Sequence, residues 1–319
     1  MNNTNVKNDM FSLDLVPSAC SKAKIAFVEM FCEDIDNPYE VKVSYDKVLS
    51  WLKSLDKKLY GDYLAWVLSG HTNLDVVKGF IDAKADVNIQ DNNGLTPLHN
   101  ASRNGREKIV SILIKKGAKI NIQDENGQTP LHYASINGDK KVVLILIKKG
   151  AKINIQDEYG QTPLHNASNY GHKIVLILIK KGAKINIQNK NGRTPLHNAS
   201  INGHKKIVLI LIKKGAKINI QNKNGLTPLH NASINRHEKM VSILIKKGAK
   251  INIQDEDGWT PLHYASINGD EKIVLILIKK GAKINIQDEY GQTPLHNASN
   301  YGHEKIVSIM KNSVDFNNK

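Results

Sequence analysis

Cysteine is nearly absent: Cys20 and Cys32 are the only two in 319 residues. They stand too far apart for a CxxC redox pair and form no half of a zinc site, so they read as two ordinary thiols in a reducing compartment. Long apolar runs are absent too. The longest span six residues, such as IVLILI at 174–179, against the roughly 18 that a membrane-spanning helix needs. At the N-terminus Asp14 interrupts the one stretch that could serve as the apolar centre of a secretory signal. Aromatics make up 6% of the chain, with three tryptophans. No GxxxxGK[ST] loop, HExxH helix, GxSxG elbow or Rossmann glycine fingerprint occurs, so the common nucleotide, zinc-hydrolase and serine-hydrolase chemistries have no foothold.

Arginine is equally scarce. Of 45 basic residues only Arg103, Arg106, Arg193 and Arg236 are arginine, and the rest are lysine. The net charge of +15 suggests a nucleic-acid partner. However, bidentate readout of phosphate and guanine favours the guanidinium that this chain lacks. Lysine, isoleucine and asparagine share A/T-rich codons, so an AT-rich genome accounts for much of the basicity. The charge is uneven. Residues 1–62 carry 8 Lys against 10 Asp+Glu, and the excess lies entirely beyond them.

What the chain has in abundance is repetition. TPLH begins at Thr96, Thr129, Thr162, Thr194, Thr227, Thr260 and Thr293, a period of 33 residues with one step of 32. Each unit reads physically. Thr before Pro is an N-cap followed by proline at the first helical position. A short helix then runs to about Asn137 in the unit of Thr129, and Gly138 stops it. A second helix carries VVLILI, with Lys148 and Lys149 suited to its C-terminal dipole and Gly150 as its stop. Its unbroken apolar run predicts packing on both sides by neighbours. AKINIQDENG is extended and turn-rich and predicts a hairpin to the next unit.

TPLH and GAKIN at this period resemble the ankyrin repeat family over residues 63–319. The resemblance implies an all-α repeat solenoid of helix–turn–helix–hairpin units, with a non-catalytic role in protein–protein recognition through a concave face and the hairpin tips. It also implies that the TPLH histidine is structural, hydrogen-bonding near the hairpin. The expected units are 63–95, 96–128, 129–161, 162–193, 194–226, 227–259, 260–292 and 293–319. The first lacks TPLH, and the last places Lys311 where the others have isoleucine. Residues 1–62 read as a short helical segment, with helices over SKAKIAFVEMFCEDI and SYDKVLSWLKSLDKKL, the second capped by Ser44. It is either a cover for the first repeat, with Trp51, Tyr60, Tyr63 and Trp66 clustered there, or a small module of its own.

DEYGQTPLHNASNYGH occurs at 157–172 and again at 288–303. Neighbouring strings recur at the same offset, so a block of about four repeats was duplicated, and identity alone marks no site. The positions that the family uses for contacts nevertheless vary while the framework stays fixed. They give the candidate partner-binding residues Arg103, Tyr159, Tyr170, Arg193, Asp257, Trp259, Tyr290 and Tyr301. Exposed aromatics there would be interface anchors. The two tyrosine pairs, four layers apart, would be on the order of 40 Å apart if each layer is about one helix diameter. The tips change from acidic (Asp124-Glu125, Asp157-Glu158) to basic (Lys190, Lys223) and back (Asp255 to Asp257, Asp288-Glu289), an order that could set the register of an extended partner.

No catalytic residue, cofactor, metal or small-molecule substrate is expected. Equivalent histidines one layer apart are about 10 Å apart, too far to share a zinc ion whose ligands lie about 2 Å away. The KKGAK runs place lysines along one edge. These complement helix dipoles and aid solubility, or form a ladder for nucleic acid or an anionic membrane, which is the alternative reading of function. No aromatics interleave with them, which disfavours single-stranded nucleic acid. With neither a readable signal nor a span, the expected location is cytoplasmic. AT-rich ankyrin arrays also resemble those of intracellular bacteria and large viruses, which implies delivery into a host cell as an effector.

Two units test the expected fold. Arg236 stands at a glycine position, where a left-handed backbone would cost about 1 kcal/mol. The unit of Thr162 is one residue short, and its turn near Gly171 and His172 is expected to absorb the loss while the apolar phase of IVLILI is kept.

Overall fold

A threonine hydroxyl, a proline ring and a histidine imidazole start each of the seven TPLH repeats. Thr96 is extended (φ −91°, ψ 165°), Pro97 opens the helix, and the Thr96 N–H donates to His99 Nδ1 at 3.0 Å. The same capping box recurs at Thr129, Thr162, Thr194, Thr227, Thr260 and Thr293. It satisfies helix-start donors that would otherwise be buried without partners.

The computed structural model describes residues 10–12, 42–54, 68 and 74–317. It divides into two compact units, Met1–Lys152 and Ile153–Lys319. In the first, β1 (Met10–Ser12) pairs antiparallel with β2 (Lys42–Ser44), Phe11 opposite Val43. This ladder adds to a segment read from sequence as helical. Helix α1 (Tyr45–Ser54) starts directly after Ser44, as expected, and packs on α2 (Leu74–Asp82) with Val48 and Leu49 buried. The helix expected over SKAKIAFVEMFCEDI lies outside the described residues, as do the side chains of Trp51, Tyr60, Tyr63 and Trp66. Two repeat pairs follow: α3 (Pro97–Arg103) with α4 (Glu107–Lys115), and α5 (Pro130–Asn137) with α6 (Lys140–Lys148).

The second unit stacks five pairs. These are α7 (Pro163–Asn169) with α8 (Val175–Lys180), α9 (Pro195–Ile201) with α10 (Lys205–Lys213), α11 (Pro228–Ile234) with α12 (Glu238–Lys246), α13 (Pro261–Ile267) with α14 (Glu271–Lys279), and α15 (Pro294–Asn300) with α16 (Glu304–Asn317). The connecting AKINIQ segments form turns. Their asparagines pin layer to layer: Asn186 Nδ2 donates to Gly215 O at 3.2 Å, and its Oδ1 accepts from Lys217 N at 2.9 Å.

The short repeat keeps its apolar phase as expected, but the turn at Gly171 and His172 matches that at Gly203 and His204, and the loss is taken at the start of the second helix. Helix α8 loses three residues at its start, and Ile174, Val175 and Leu178 are buried as Ile207, Val208 and Leu211 are in α10. The deletion falls there because a shift inside the helix would rotate its apolar face by about 100°. The second helices pack against those of the layers on both sides, as expected, but this does not bury their whole circumference. Three positions per helix are buried, while Leu209 and Leu275 are exposed on the side away from them.

The TPLH imidazole ties one layer to the next. In the second unit, Nε2 of His165, His197 and His230 meets the carbonyl oxygens of Arg193, Leu226 and Trp259 at 3.0–3.1 Å. With Nδ1 accepting from the threonine N–H, Nε2 must be the donor, so the ring is neutral. Burial pushes the pKa of His197 and His230 down to about 4, and those of His99 and His263 below the usual value. A second set works at the turn between helices: Nε2 of His204, His237 and His303 donates to Asn169, Ile201 and Ile267 carbonyls of the preceding layer, each at 2.9 Å.

This second set explains Arg236. Its φ is 57°, in the left-handed region. Gly171, Gly203 and Gly269 lie under the next layer's histidine; a Cβ on Gly203 would approach His237 within 3.0 Å and one on Gly269 would approach His303 within 2.6 Å. Above Arg236 the histidine is replaced by Asp270, which instead caps α14 by accepting from Ile273 N. Arg236 also donates to Asn268 O. Substituting Asp270→His should therefore destabilise the chain, and Arg236→Gly should relieve much of that cost. A coupling of about 1 kcal/mol or more is expected from denaturant melts of the double-mutant cycle.

The neutral histidines also set an acid limit. A histidine titrating near 6.5 when unfolded and near 4 when folded binds more protons unfolded, so stability is full above about pH 6.5 and falls toward pH 4. By pH 5, where most exposed carboxylates remain ionised, His197 and His230 should each have lost on the order of 2 kcal/mol, measurable as a lower urea midpoint.

Candidate protein-docking face

The tips are built by an Asx turn. Asp157 Oδ1 accepts from Tyr159 N at 2.9 Å and Gln161 N at 2.8 Å, and Asn189 does the same for Asn191 and Arg193. Successive tips are chained by backbone bonds, Lys190 N to Tyr159 O at 2.9 Å and Lys223 N to Asn191 O at 3.0 Å. The approach is so close that a Cβ on Gly192 would lie 2.6 Å from Lys223 N. The aspartates counted in the acidic tips, Asp124, Asp157, Asp255 and Asp288, are therefore buried turn residues. The charges the tips offer to solvent are Glu158, Lys190, Lys223, Glu256, Asp257 and Glu289 in the second unit, so the change of sign survives on fewer residues.

Of the eight candidate residues, Arg103 lies in the first unit and seven lie in the second. Tyr159 and Tyr290 stand on tips and Tyr170 and Tyr301 at the C-caps of α7 and α15, and all four are more than half exposed, Tyr290 at 82%. Tyr170 stacks on His172 at 6.1 Å, which limits its rotamers. Asp257 is exposed.

Trp259, Arg193 and Arg103 are partly committed to the fold. The indole of Trp259 stacks on His263 and leans on Tyr264, and its Nε1 donates to Asp288 Oδ2 at 3.0 Å. It is half-buried rather than a free anchor. Arg193 is half-buried beside His197, and its Nε is buried without a hydrogen-bond partner. The guanidinium of Arg103 lies 5.9 Å from the Tyr133 ring centre. The Tyr133 hydroxyl donates to Asp124 Oδ2 at 2.7 Å, and Tyr264 does the same to Asp255 at 2.6 Å. Burial, then that carboxylate, push both phenols above their ordinary range.

Among the described residues no group of three or more His, Cys, Asp or Glu is placed to hold a metal ion, and no helix is long and apolar enough to cross a membrane. The side chains that the sequence reading missed are Leu209 and Leu275. Their signal was the serine at the same position in other repeats, Ser111, Ser242 and Ser308.

Comparison with known proteins agrees with this architecture. The family model for ankyrin repeats matches residues 64–157, 150–222, 214–288 and 254–319. A mouse (Mus musculus) protein named 60 kDa lysophospholipase is 31% identical over 77 residues, 22% of this chain and 14% of the relative. The chain thus spans about a seventh of that protein's length. Ankyrin repeats as a family are protein-binding and generally non-catalytic. With the stacked capping boxes, the Asx-turn tips and matches running from residue 64 to 319, the chain belongs to the ankyrin repeat family.

Proposed function

We propose that the chain is a non-catalytic scaffold that holds a protein partner across the hairpin tips and first-helix ends. The observation that carries this reading is the exposure of four tyrosines, Tyr159, Tyr170, Tyr290 and Tyr301, at positions the fold does not need. Tyrosine offers a large, two-torsion, amphipathic contact at low entropic cost and is enriched among interface hot spots. Arg193, Asp257 and Trp259 add polar contacts and a partly pre-ordered ring in the second unit, and Arg103 is a separate candidate contact in the first. Lys190 and Lys223 lie between acidic tips, which favours a partner segment with its acidic part opposite them and basic parts on either side. Catalysis is not part of this reading. The partial likeness to a protein named for lysophospholipase activity covers too little of that protein to carry its chemistry over.

The two tyrosine pairs occur in identical sixteen-residue strings. They are suited to grip two points of one long ligand, or two copies of a partner, with a gain from linkage. Work inside a host cell belongs to the same proposal; finding the chain solely in the cell that makes it would remove that part.

Affinity capture from the native lysate tests the scaffold. A variant with Tyr159, Tyr170, Tyr290 and Tyr301 all changed to alanine should melt as wild type does. It should lose a protein that wild type retains at salt well above physiological, with affinity falling about a thousandfold if two of the four rings act as hot spots. Equal retention by both chains would remove this face as the docking surface.

A further inference from the structure

The second helices carry apolar residues over more of their circumference than the stack covers. In α10, Ile207, Val208 and Leu211 are buried, while Lys205, Leu209 and Lys213 form an i, i+4, i+8 stripe on the other side. Leu209 is 41% exposed and Leu275, at the same position in α14, is 37% exposed. Four tyrosines aside, these are the only large hydrophobic side chains exposed among the described residues. Neither is required by the core, because Ser242 fills the same position in α12 between them, as Ser111 does in α4 and Ser308 in α16.

The stripe ends on a field of unpaired charge. The four layers from Lys180 to Lys283 present 12 exposed KKGAK lysines. No ion pair involves any of them, whereas at the opposite ends of the second helices Lys272 meets Glu238 at 3.2 Å and Lys305 meets Glu271 at 3.5 Å. Helix C-terminal dipoles account for one or two cations per layer, not for three with leucines beside them.

We propose that this face of residues 153–319 docks on an anionic lipid surface. Leu209 and Leu275 would enter the headgroup–acyl boundary, with Leu176 partly exposed beside them, while the lysines lie along the apolar boundary by their stems and meet lipid phosphates and carboxylates. A nucleic acid would use the lysines and leave the leucines without a role. An acidic protein would need carboxylates fixed at each layer, whereas lipid headgroups adjust to any spacing. The surface is distinct from the tyrosine face, so membrane and protein could be held together.

Vesicle sedimentation with the full chain tests this. Vesicles of phosphatidylcholine with about 30% phosphatidylserine should be bound and pure phosphatidylcholine should not. The variant Leu209→Ser with Leu275→Ser uses the residue already native at that position, so its thermal melt should match wild type while its vesicle binding falls about tenfold. Changing Lys213, Lys214, Lys279 and Lys280 to glutamine should weaken binding at low salt, and the four-tyrosine variant should bind vesicles as wild type does. The proposal is overturned if anionic vesicles are not bound, if the serine variant binds as well as wild type, or if a short DNA duplex binds more tightly than the vesicles with no dependence on the leucines.

Discussion

A neutral imidazole, buried between two layers, is the part on which the rest of this fold leans. Each TPLH histidine accepts from its own threonine N–H through Nδ1, and Nε2 of His99, His165, His197, His230 and His263 donates to the carbonyl just before the next TPLH. One ring thus closes a helix start and fixes the distance to the neighbour. Protonation breaks the first bond, since a charged imidazole has no acceptor, while Nε2 can still donate. The buried site keeps it neutral by desolvation, so the packing that needs the bond also secures its protonation state. His296 shows the contrast: it keeps its threonine partner at 2.8 Å but is exposed.

Nearest-neighbour bonding explains why the repeat was so readable. Many residues that recur touch the adjoining layer, namely the histidine of TPLH, the asparagine of KIN and the glycines under a neighbour's backbone, while the threonine and the tip Asp or Asn close the caps and turns of their own layer. A solenoid sums such local terms, so a residue that serves one layer serves all of them. The stack, the caps and the apolar phase of the shortened layer followed from the string alone. Arg236 was legible as a departure but not as a tolerated one, because the explanation sits on another layer, in Asp270.

Function was legible in part, and for a physical reason. The tyrosine positions vary in sequence because nothing in the stack holds them, and variation within a repeat marks freedom from the framework. The same logic misjudged Trp259, whose change from glutamine reads as a surface choice although the indole bonds to Asp288 in the next turn. It also counted turn aspartates as surface charge, since an Asx turn and an acidic tip are written with the same letter. Burial separates these cases, and burial depends on the layer above.

The exposed leucines carry the point one step further. A run of six apolar residues in a short helix cannot be wholly buried when its neighbours leave part of its circumference open. Some of it must face water or something else. In this chain the surplus is confined to one position that elsewhere is serine, so the core did not select it. Exposed leucine carries a solubility cost, which persists only if drift tolerates it or a ligand surface offsets it. Two leucines within a field of unpaired lysines fit the second account better. Codon bias toward A/T enriches lysine and isoleucine wherever they are tolerated, but it does not arrange leucine and lysine along one outward stripe.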